Sequence, residues 1–123
     1  MEFKADQPIY LQIMSLIQNQ IVRGELAKGN KIPAVRNLAL DLSTNPNTVQ
    51  RALSELEREE IVYSKRGLGR FVTEDDDKIR NLKQVEIGQV INRFMTDMAA
   101  LGLSQEQILE TLQEHMTKMG EKI

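Results

Sequence analysis

A stretch rich in amide and basic side chains begins at Asn45 and has the chemistry that proteins use to contact nucleic acid. It is Asn-Pro-Asn-Thr-Val-Gln-Arg-Ala-Leu over residues 45–53. Amide and guanidinium groups can make paired hydrogen bonds to base edges, and arginine and threonine also bind phosphate. No acidic residue follows Asn45 until Glu55. Because a carboxylate on the first turns would repel phosphate, this order suits a surface that enters a DNA groove.

A helix that starts at Asn45 would place these side chains on one face. Asn45 can cap the helix, and proline at the first helical position has a helical φ and no N–H to satisfy. The apolar positions predict the buried face: Val49, Ala52, Leu53 and Leu56. The opposite face carries Asn47, Thr48, Gln50 and Arg51. An ordinary amphipathic surface helix is an equal alternative for this segment alone, so its neighbours must decide.

Two helices are predicted upstream, and the nearer one forms a helix-turn-helix pair with the helix that starts at Asn45. Residues 33–42 form a short helix that Ser43-Thr44 joins to the capped helix in a few residues. Small Ala39 lies where the two helices must approach each other. Residues 8–23 form a longer amphipathic helix that backs the pair, and Gly24 ends it.

A β-hairpin with a basic tip is predicted downstream. The β-prone runs 61–64 and 69–72 bracket Lys65-Arg66-Gly67-Leu68-Gly69, and Arg70 follows the tip. Three cations within six residues suit a wing that lies along a phosphate backbone or reaches into a minor groove. A merely solvated turn is the alternative, but such a turn needs only Asn-Gly or Asp-Gly.

Taken in order, these motifs resemble the winged helix-turn-helix domain of the GntR family of bacterial transcriptional regulators. The resemblance extends from about Pro8 to Val72. The short helical remainder is similar to that of the YtrA-like subgroup. The resemblance implies a mainly α fold with a small β-hairpin, in which a winged helix-turn-helix DNA-binding domain at residues 1–73 precedes a two-helix C-terminal dimerisation tail at residues 74–123.

The resemblance also implies which residues contact DNA. The matching family positions are Arg36, Asn45, Asn47, Thr48, Gln50 and Gly67. From their charge and place we add Arg51, Lys65, Arg66 and Arg70. Ala34 departs from the family's frequent serine, so a helix cap and a phosphate contact are missing there. Gln50 stands where many members have arginine, and it points about 100° away from Arg51 around the helix. We therefore expect Gln50 to contact a base edge and Arg51 to contact the backbone or a guanine.

The remaining residues predict two helices that need a partner. The acidic run 74–77 suits a helix N-terminus or a polar hinge. A helix from about Ile79 to Leu101, ended by Gly102, has an apolar seam that includes the expected dimer contacts Ile87, Ile91, Phe94, Met98 and Leu101. Ser104 and Gln107 have the spacing of a capping box that starts a second helix.

Two helices of this length cannot enclose an adequate core by themselves. We therefore expect their apolar surface to pair with the same segment of a second chain, which would place two recognition helices on one duplex face. An effector pocket lined by the methionines is the alternative, although methionine at helical spacing is more often core or interface. An unidentified small-molecule effector is left open as a further partner.

Composition favours a compact cytoplasmic protein. The 123 residues include no cysteine, so disulfides and thiolate metal sites are excluded. No apolar run approaches the length of a membrane span, and the first residues do not form a signal peptide. His115 is the single histidine and nothing pairs with it at ligand spacing, so we expect neither an enzyme nor a metal or cofactor.

Charge is unevenly distributed along the chain. Residues 1–73 contain ten basic and eight acidic side chains, a net charge of +2, whereas residues 74–123 contain six and ten, a net charge of −4. The residues and the resemblance together predict a sequence-specific transcriptional regulator, a repressor by resemblance, that binds a two-fold symmetric operator in double-stranded DNA as a homodimer. The alternative is a winged-helix protein–protein interaction module without DNA binding, whose wing cations would meet acidic protein.

Overall fold

The computed structural model describes residues 2–121, which contain five helices and one β-hairpin. The elements are α1 (Ile9–Val22), α2 (Val35–Asp41), α3 (Pro46–Arg58), β1 (Val62–Lys65), β2 (Gly69–Val72), α4 (Asp76–Ala100) and α5 (Gln105–Glu121). The mainly helical fold with a small hairpin is therefore confirmed. The chain divides into two compact units, Met1–Gln84 and Val85–Ile123.

In the first unit, α1, α2, α3 and the hairpin enclose one hydrophobic core. Helix α3 packs against both α1 and α2. The largest fully buried side chains are Ile13, Ile17, Ile32, Val49, Leu53, Leu56, Val62 and Val72. Ala39 of α2 is also buried, and its small side chain lets α2 approach α3 closely. The face of α3 that the sequence predicted to be apolar is the face that points into this core.

Local hydrogen bonds fix the turn between α2 and α3. Ser43 adopts a left-handed φ of 51°, and the Thr44 N–H donates to the Ala39 carbonyl at 3.0 Å, which ends α2. Asn45 Oδ1 then accepts from the Asn47 N–H at 2.8 Å, with Pro46 in the first turn. The predicted start of α3 is confirmed. Ala34 gives α2 no side-chain cap, as the sequence predicted.

The hairpin is part of a larger backbone network. Strands β1 and β2 are antiparallel, from Val62 opposite Val72 to Lys65 opposite Gly69. Residues 29–32 run along the other edge of β2, where the Ile32 N–H donates to the Arg70 carbonyl at 2.8 Å. Strand β1 begins one residue later than predicted, because the Ile61 N–H instead closes α3 on the Leu56 carbonyl at 3.0 Å. The base of the wing is thus held on both edges of β2.

The beginning of α4 belongs to the first unit. Asp75 Oδ1 accepts from the Asp77 N–H at 2.9 Å and so caps the helix. Lys28 forms an ion pair with Asp76 at 3.1 Å, and Ile79 and Leu82 pack against the core. The acidic run therefore complements a helix N-terminus, as predicted. The compact unit extends to Gln84, whereas the functional division between residues 73 and 74 stays a prediction.

The end of α4 and the start of α5 follow their sequence signals. Gly102 has a φ of 88°, and the Leu103 N–H donates to the Met98 carbonyl at 3.4 Å. The Ser104 N–H donates to Gln107 Oε1 at 2.8 Å, and the Gln107 N–H donates to Ser104 Oγ at 3.2 Å. The predicted capping box is confirmed.

Apolar side chains of α4 and α5 are largely uncovered. Ile108 is buried, but ten large apolar side chains in residues 85–119 are exposed: Val85, Ile87, Val90, Ile91, Phe94, Leu101, Leu109, Leu112, Met116 and Met119. Two residues of the predicted α4 seam differ from these, because Ile79 and Leu82 pack against the core of the first unit.

Candidate nucleic-acid interface

The N-terminal half of α3 presents a polar surface opposite the core. Asn47, Gln50 and Arg51 are exposed and Thr48 is half-buried. Gln50 Nε2 donates to Ser54 Oγ at 3.2 Å, so one amide proton is occupied while the carbonyl oxygen can still accept. Asn45 is exposed and commits Oδ1 to the helix cap, which leaves its amide nitrogen as a donor. The structure thus brings the predicted recognition residues together on one face.

Arg36 lies outside this helix, on the exposed side of α2. It follows Val35, the first residue of α2, and therefore sits in the first turn. The guanidinium is a planar cation that can donate up to five hydrogen bonds. This position is consistent with the backbone or base contact that the resemblance implies for Arg36.

One flank of α3 is tied to the wing through Glu57. Ser64 Oγ donates to Glu57 Oε1 at 2.7 Å, and Arg70 Nε donates to the same oxygen at 3.1 Å. The Ser64 hydroxyl first, and then Arg70, hold the pKa of the Glu57 carboxyl below its usual value. Arg70 is therefore engaged within the protein, and its side chain is only 20% exposed. The DNA contact predicted for Arg70 stays a prediction, but its visible role is to orient the wing.

The contacts of Glu57 predict that the free energy of unfolding depends on pH. The pKa of the Glu57 carboxyl is lower in the folded than in the unfolded chain. The carboxylate therefore stabilises the fold fully above the unfolded pKa, and this stabilisation is lost as the pH falls through the folded pKa. Glu57→Gln should cost less than about 1 kcal/mol at pH 7, since the contact is partly exposed. At a pH below the folded pKa the free energies of unfolding of the variant and the wild type should differ less. Urea unfolding at both pH values measures this difference, with exposed Glu25→Gln as the control. Equal losses for Glu57→Gln at both pH values would contradict the assignment.

The wing tip carries exposed cations on a hairpin that needs two glycines. Lys65 and Arg66 are exposed, and Lys65 Nζ lies 4.6 Å from the centroid of the Phe71 ring. That cation–π contact holds the amine beside the hairpin. Gly67 and Gly69 have φ values of 78° and 105°, a region that side chains disfavour. The predicted wing cations are therefore presented to solvent by a constrained turn.

Two residues at this surface were missed by sequence reasoning. Lys31 pairs with Phe71 across the sheet, and its Cε would lie 3.2 Å from a Cβ placed on Gly69, so this exposed cation lies beside the wing. Tyr10 was assigned only to the amphipathic α1, but its ring lies under Arg51, whose guanidinium carbon is 3.8 Å from the ring centroid. A tyrosine in the first turn of a helix next to an HTH pair is a weak signal that could have indicated it.

Among residues 2–121, no group of three His, Cys, Asp or Glu side chains could hold a metal ion. No helix within residues 2–121 is long and apolar enough to cross a membrane. In the second unit, four predicted dimer contacts are exposed and Met98 is half-buried. Their role in an interface stays a prediction.

The three-helix core, the capped polar α3 and the basic hairpin define a winged helix-turn-helix protein. The family model of bacterial regulatory proteins of the gntR family matches residues 9–72, about half of the chain. The chain therefore belongs to the GntR family and is a transcription regulator of that family.

Similar proteins match nearly the whole chain. The uncharacterized HTH-type transcriptional regulator YhcF of Bacillus subtilis is 42% identical over 109 residues, 89% of this chain and 90% of YhcF. The HTH-type transcriptional repressor YtrA of Bacillus subtilis is 32% identical over 112 residues, 90% of this chain and 86% of YtrA. The resemblance to YtrA-like regulators is thus confirmed, and both relatives are named as regulators of transcription.

Solved structures agree on the fold. A GntR family transcriptional regulator from Listeria monocytogenes has a TM-score of 0.81 and 39% identity, covering 91% of this chain and 98% of that one. The DNA-binding domain of AraR, solved in complex with operator ORX1, has a TM-score of 0.55 and 26% identity, covering 58% of this chain and 93% of that one.

Proposed function

We propose that this chain is a homodimeric repressor that binds a two-fold symmetric operator in double-stranded DNA. The main support is the polar N-terminal half of α3, which is exposed on the face opposite the core. The basic wing is joined to the same helix near its C-terminal end, through the contact of Arg70 with Glu57. The matched AraR domain was solved with its operator. The relative YtrA is a repressor, and we extend that role to this chain.

The side chains divide into two kinds of DNA contact. Asn47 and Gln50 have amides that match the donor and acceptor pattern of adenine in the major groove. Lys65 and Arg66 at the wing tip are suited to phosphates or to the minor groove. We therefore assign sequence reading to α3 and affinity largely to the wing.

Dimerisation is supported by the uncovered apolar face of α4. Ile87, Ile91, Phe94, Met98 and Leu101 are separated by four, three, four and three residues. This is the a and d spacing of a coiled coil, in which each helix covers the seam of its partner. A two-fold axis through such a seam would let two winged helix-turn-helix domains contact the two half-sites of one operator. The occupant we propose is thus a second copy of this chain.

Arg36→Ala is expected to weaken operator binding by about 1 to 3 kcal/mol and to leave the fold intact. The reason is that Arg36 is exposed in the first turn of α2, where its loss removes a DNA contact and no core packing. Fluorescence anisotropy with a duplex selected by the wild type measures the effect. Arg58→Ala is the matched control, because Arg58 is exposed on the last turn of α3, beyond the groove-facing half.

The wing provides a second comparison in the same titration. A double change of Lys65 and Arg66 to alanine should weaken selected and random duplexes nearly alike and reduce the salt slope by about one or two units, as phosphate contacts do. Equal affinities of the wild type and Arg36→Ala, with no change in the double variant, would contradict the assigned surface. Binding to acidic protein instead of DNA would favour an interaction module.

A further inference from the structure

Arg51 and Gln50 lie on opposite flanks of the recognition helix. At about 100° per residue, Gln50 is roughly 60° to one side of Asn47 and Arg51 is roughly 40° to the other. The Arg51 flank faces α1, where the guanidinium stacks on the Tyr10 ring at 3.8 Å. Arg51 is therefore drawn away from Gln50 and towards the first turn of α1.

The stack determines which contacts the guanidinium can make. One face of the planar group covers the aromatic ring, but its N–H groups point outwards in the plane and can still donate. To reach a base edge beside Gln50, the side chain would have to leave the ring. A ligand that approaches from the α1 side could bind the guanidinium N–H groups while the guanidinium stays stacked on the Tyr10 ring.

A hollow of about 380 Å³ lies at this position between α1 and α3. Its described lining consists of Pro8, Ile9, Tyr10, Asn47, Thr48 and Arg51. None of these is acidic, and Arg51 and the Thr48 hydroxyl each supply donors. Asn47 and Thr48 are part of its lining, so the hollow adjoins the proposed DNA-reading face. These features suit one anionic group with several acceptor oxygens.

The geometry points to a DNA backbone phosphate as the group that enters this hollow, with Arg51 as its ligand and Tyr10 as the residue that positions Arg51. This inference rests on the proposed function and makes it more specific. Arg51 contacts the backbone and does not read a guanine, and α1 becomes part of the DNA interface. Sequence reading on α3 is then left to Asn47 and Gln50.

A phosphate scan tests the assignment. The probe is a selected operator duplex in which one phosphate at a time is replaced by a neutral methylphosphonate. Arg51→Ala should bind the unmodified duplex about 10-fold more weakly and lose its sensitivity to one phosphate in each half-site. Tyr10→Leu should lower affinity by about 3-fold and reduce the sensitivity at the same phosphate. Tyr10→Phe should keep that sensitivity, because the ring remains.

Two further readouts separate positioning from a general structural effect. The Tyr10→Leu and Arg51→Ala changes should be non-additive, since Tyr10 acts through Arg51. A merely structural role of Tyr10 would weaken binding equally at all phosphates, and that result would overturn the proposal. Loss of preference at one guanine in Arg51→Ala, with the phosphate profile intact, would also overturn it. If the wild type selects no duplex at all from a random pool, the proposed function itself is refuted.

Discussion

Phe94→Asp is expected to convert the dimer into monomers at micromolar concentration. Phe94 lies between Ile91 and Met98, in the middle of the exposed face of α4, and the residue is 36% exposed in the single chain. In a two-fold interface each substitution occurs twice, so two carboxylates would be placed near apolar surface and near each other. The cost in dimerisation free energy should be several kcal/mol in total, because unpaired charges are expensive to bury.

Sedimentation or light scattering measures this loss, and circular dichroism shows whether the helices persist. His115→Ala on α5 is the control and should leave the dimer unchanged, because His115 is exposed and outside the predicted seam. A stable Phe94→Asp dimer, or an equal loss in His115→Ala, would show that α4 and α5 associate in another way. The methionines of the second unit would then again be candidates for an effector pocket.

Leu53→Ala is expected to lower the free energy of unfolding by about 2 to 5 kcal/mol. Leu53 is 1% exposed in the core, and truncation would leave a cavity between tightly packed helices. Leu40→Ala makes the same chemical change on α2, where the side chain is 71% exposed, and should cost less than about 0.5 kcal/mol.

Urea unfolding at a single protein concentration compares the two leucine variants, because the stability of a dimer depends on concentration. Similar losses at the two positions would mean that α2 and α3 are not packed as described. A large loss in Leu40→Ala alone would indicate that this exposed face of α2 is covered in the assembled protein.

Helix starts and ends could be predicted from the sequence because they depend on local chemistry. Asn45 with Pro46, Gly102, and Ser104 with Gln107 each act through hydrogen bonds or backbone angles within a few residues. The buried face of α3 was also predictable, since its apolar residues keep a helical period. The exposed polar face followed from it as the opposite side of the same helix.

Contacts between distant segments could not be predicted in the same way. The run 29–32 pairs with β2 through backbone groups, which leave no side-chain pattern. The stack of Arg51 on Tyr10 and the contact of Arg70 with Glu57 join residues that only the tertiary fold brings together. Arg51 and Arg70 looked equally available in the sequence, but the fold gives them different surroundings.

The end of α3 illustrates the same limit. Glu60 has a φ of 63°, although a left-handed residue after a helix is more often glycine. The buried Ile61, which is 8% exposed, explains this conformation, because its burial turns the chain into β1. Lys78 also forms an ion pair with Glu60 at 2.9 Å. Tertiary packing thus outweighs the local preference at this position.

Selection of bound duplexes from a random pool, followed by sequencing, tests whether the chain is a dimeric, sequence-specific DNA-binding protein. We expect enrichment of one inverted repeat, with half-sites about one helical turn or a small multiple apart, since a two-fold dimer presents two identical recognition helices. We also expect enrichment to weaken as salt is raised. A pool that stays unenriched at low salt, or that yields a single asymmetric half-site, would contradict a dimeric, sequence-specific DNA-binding regulator.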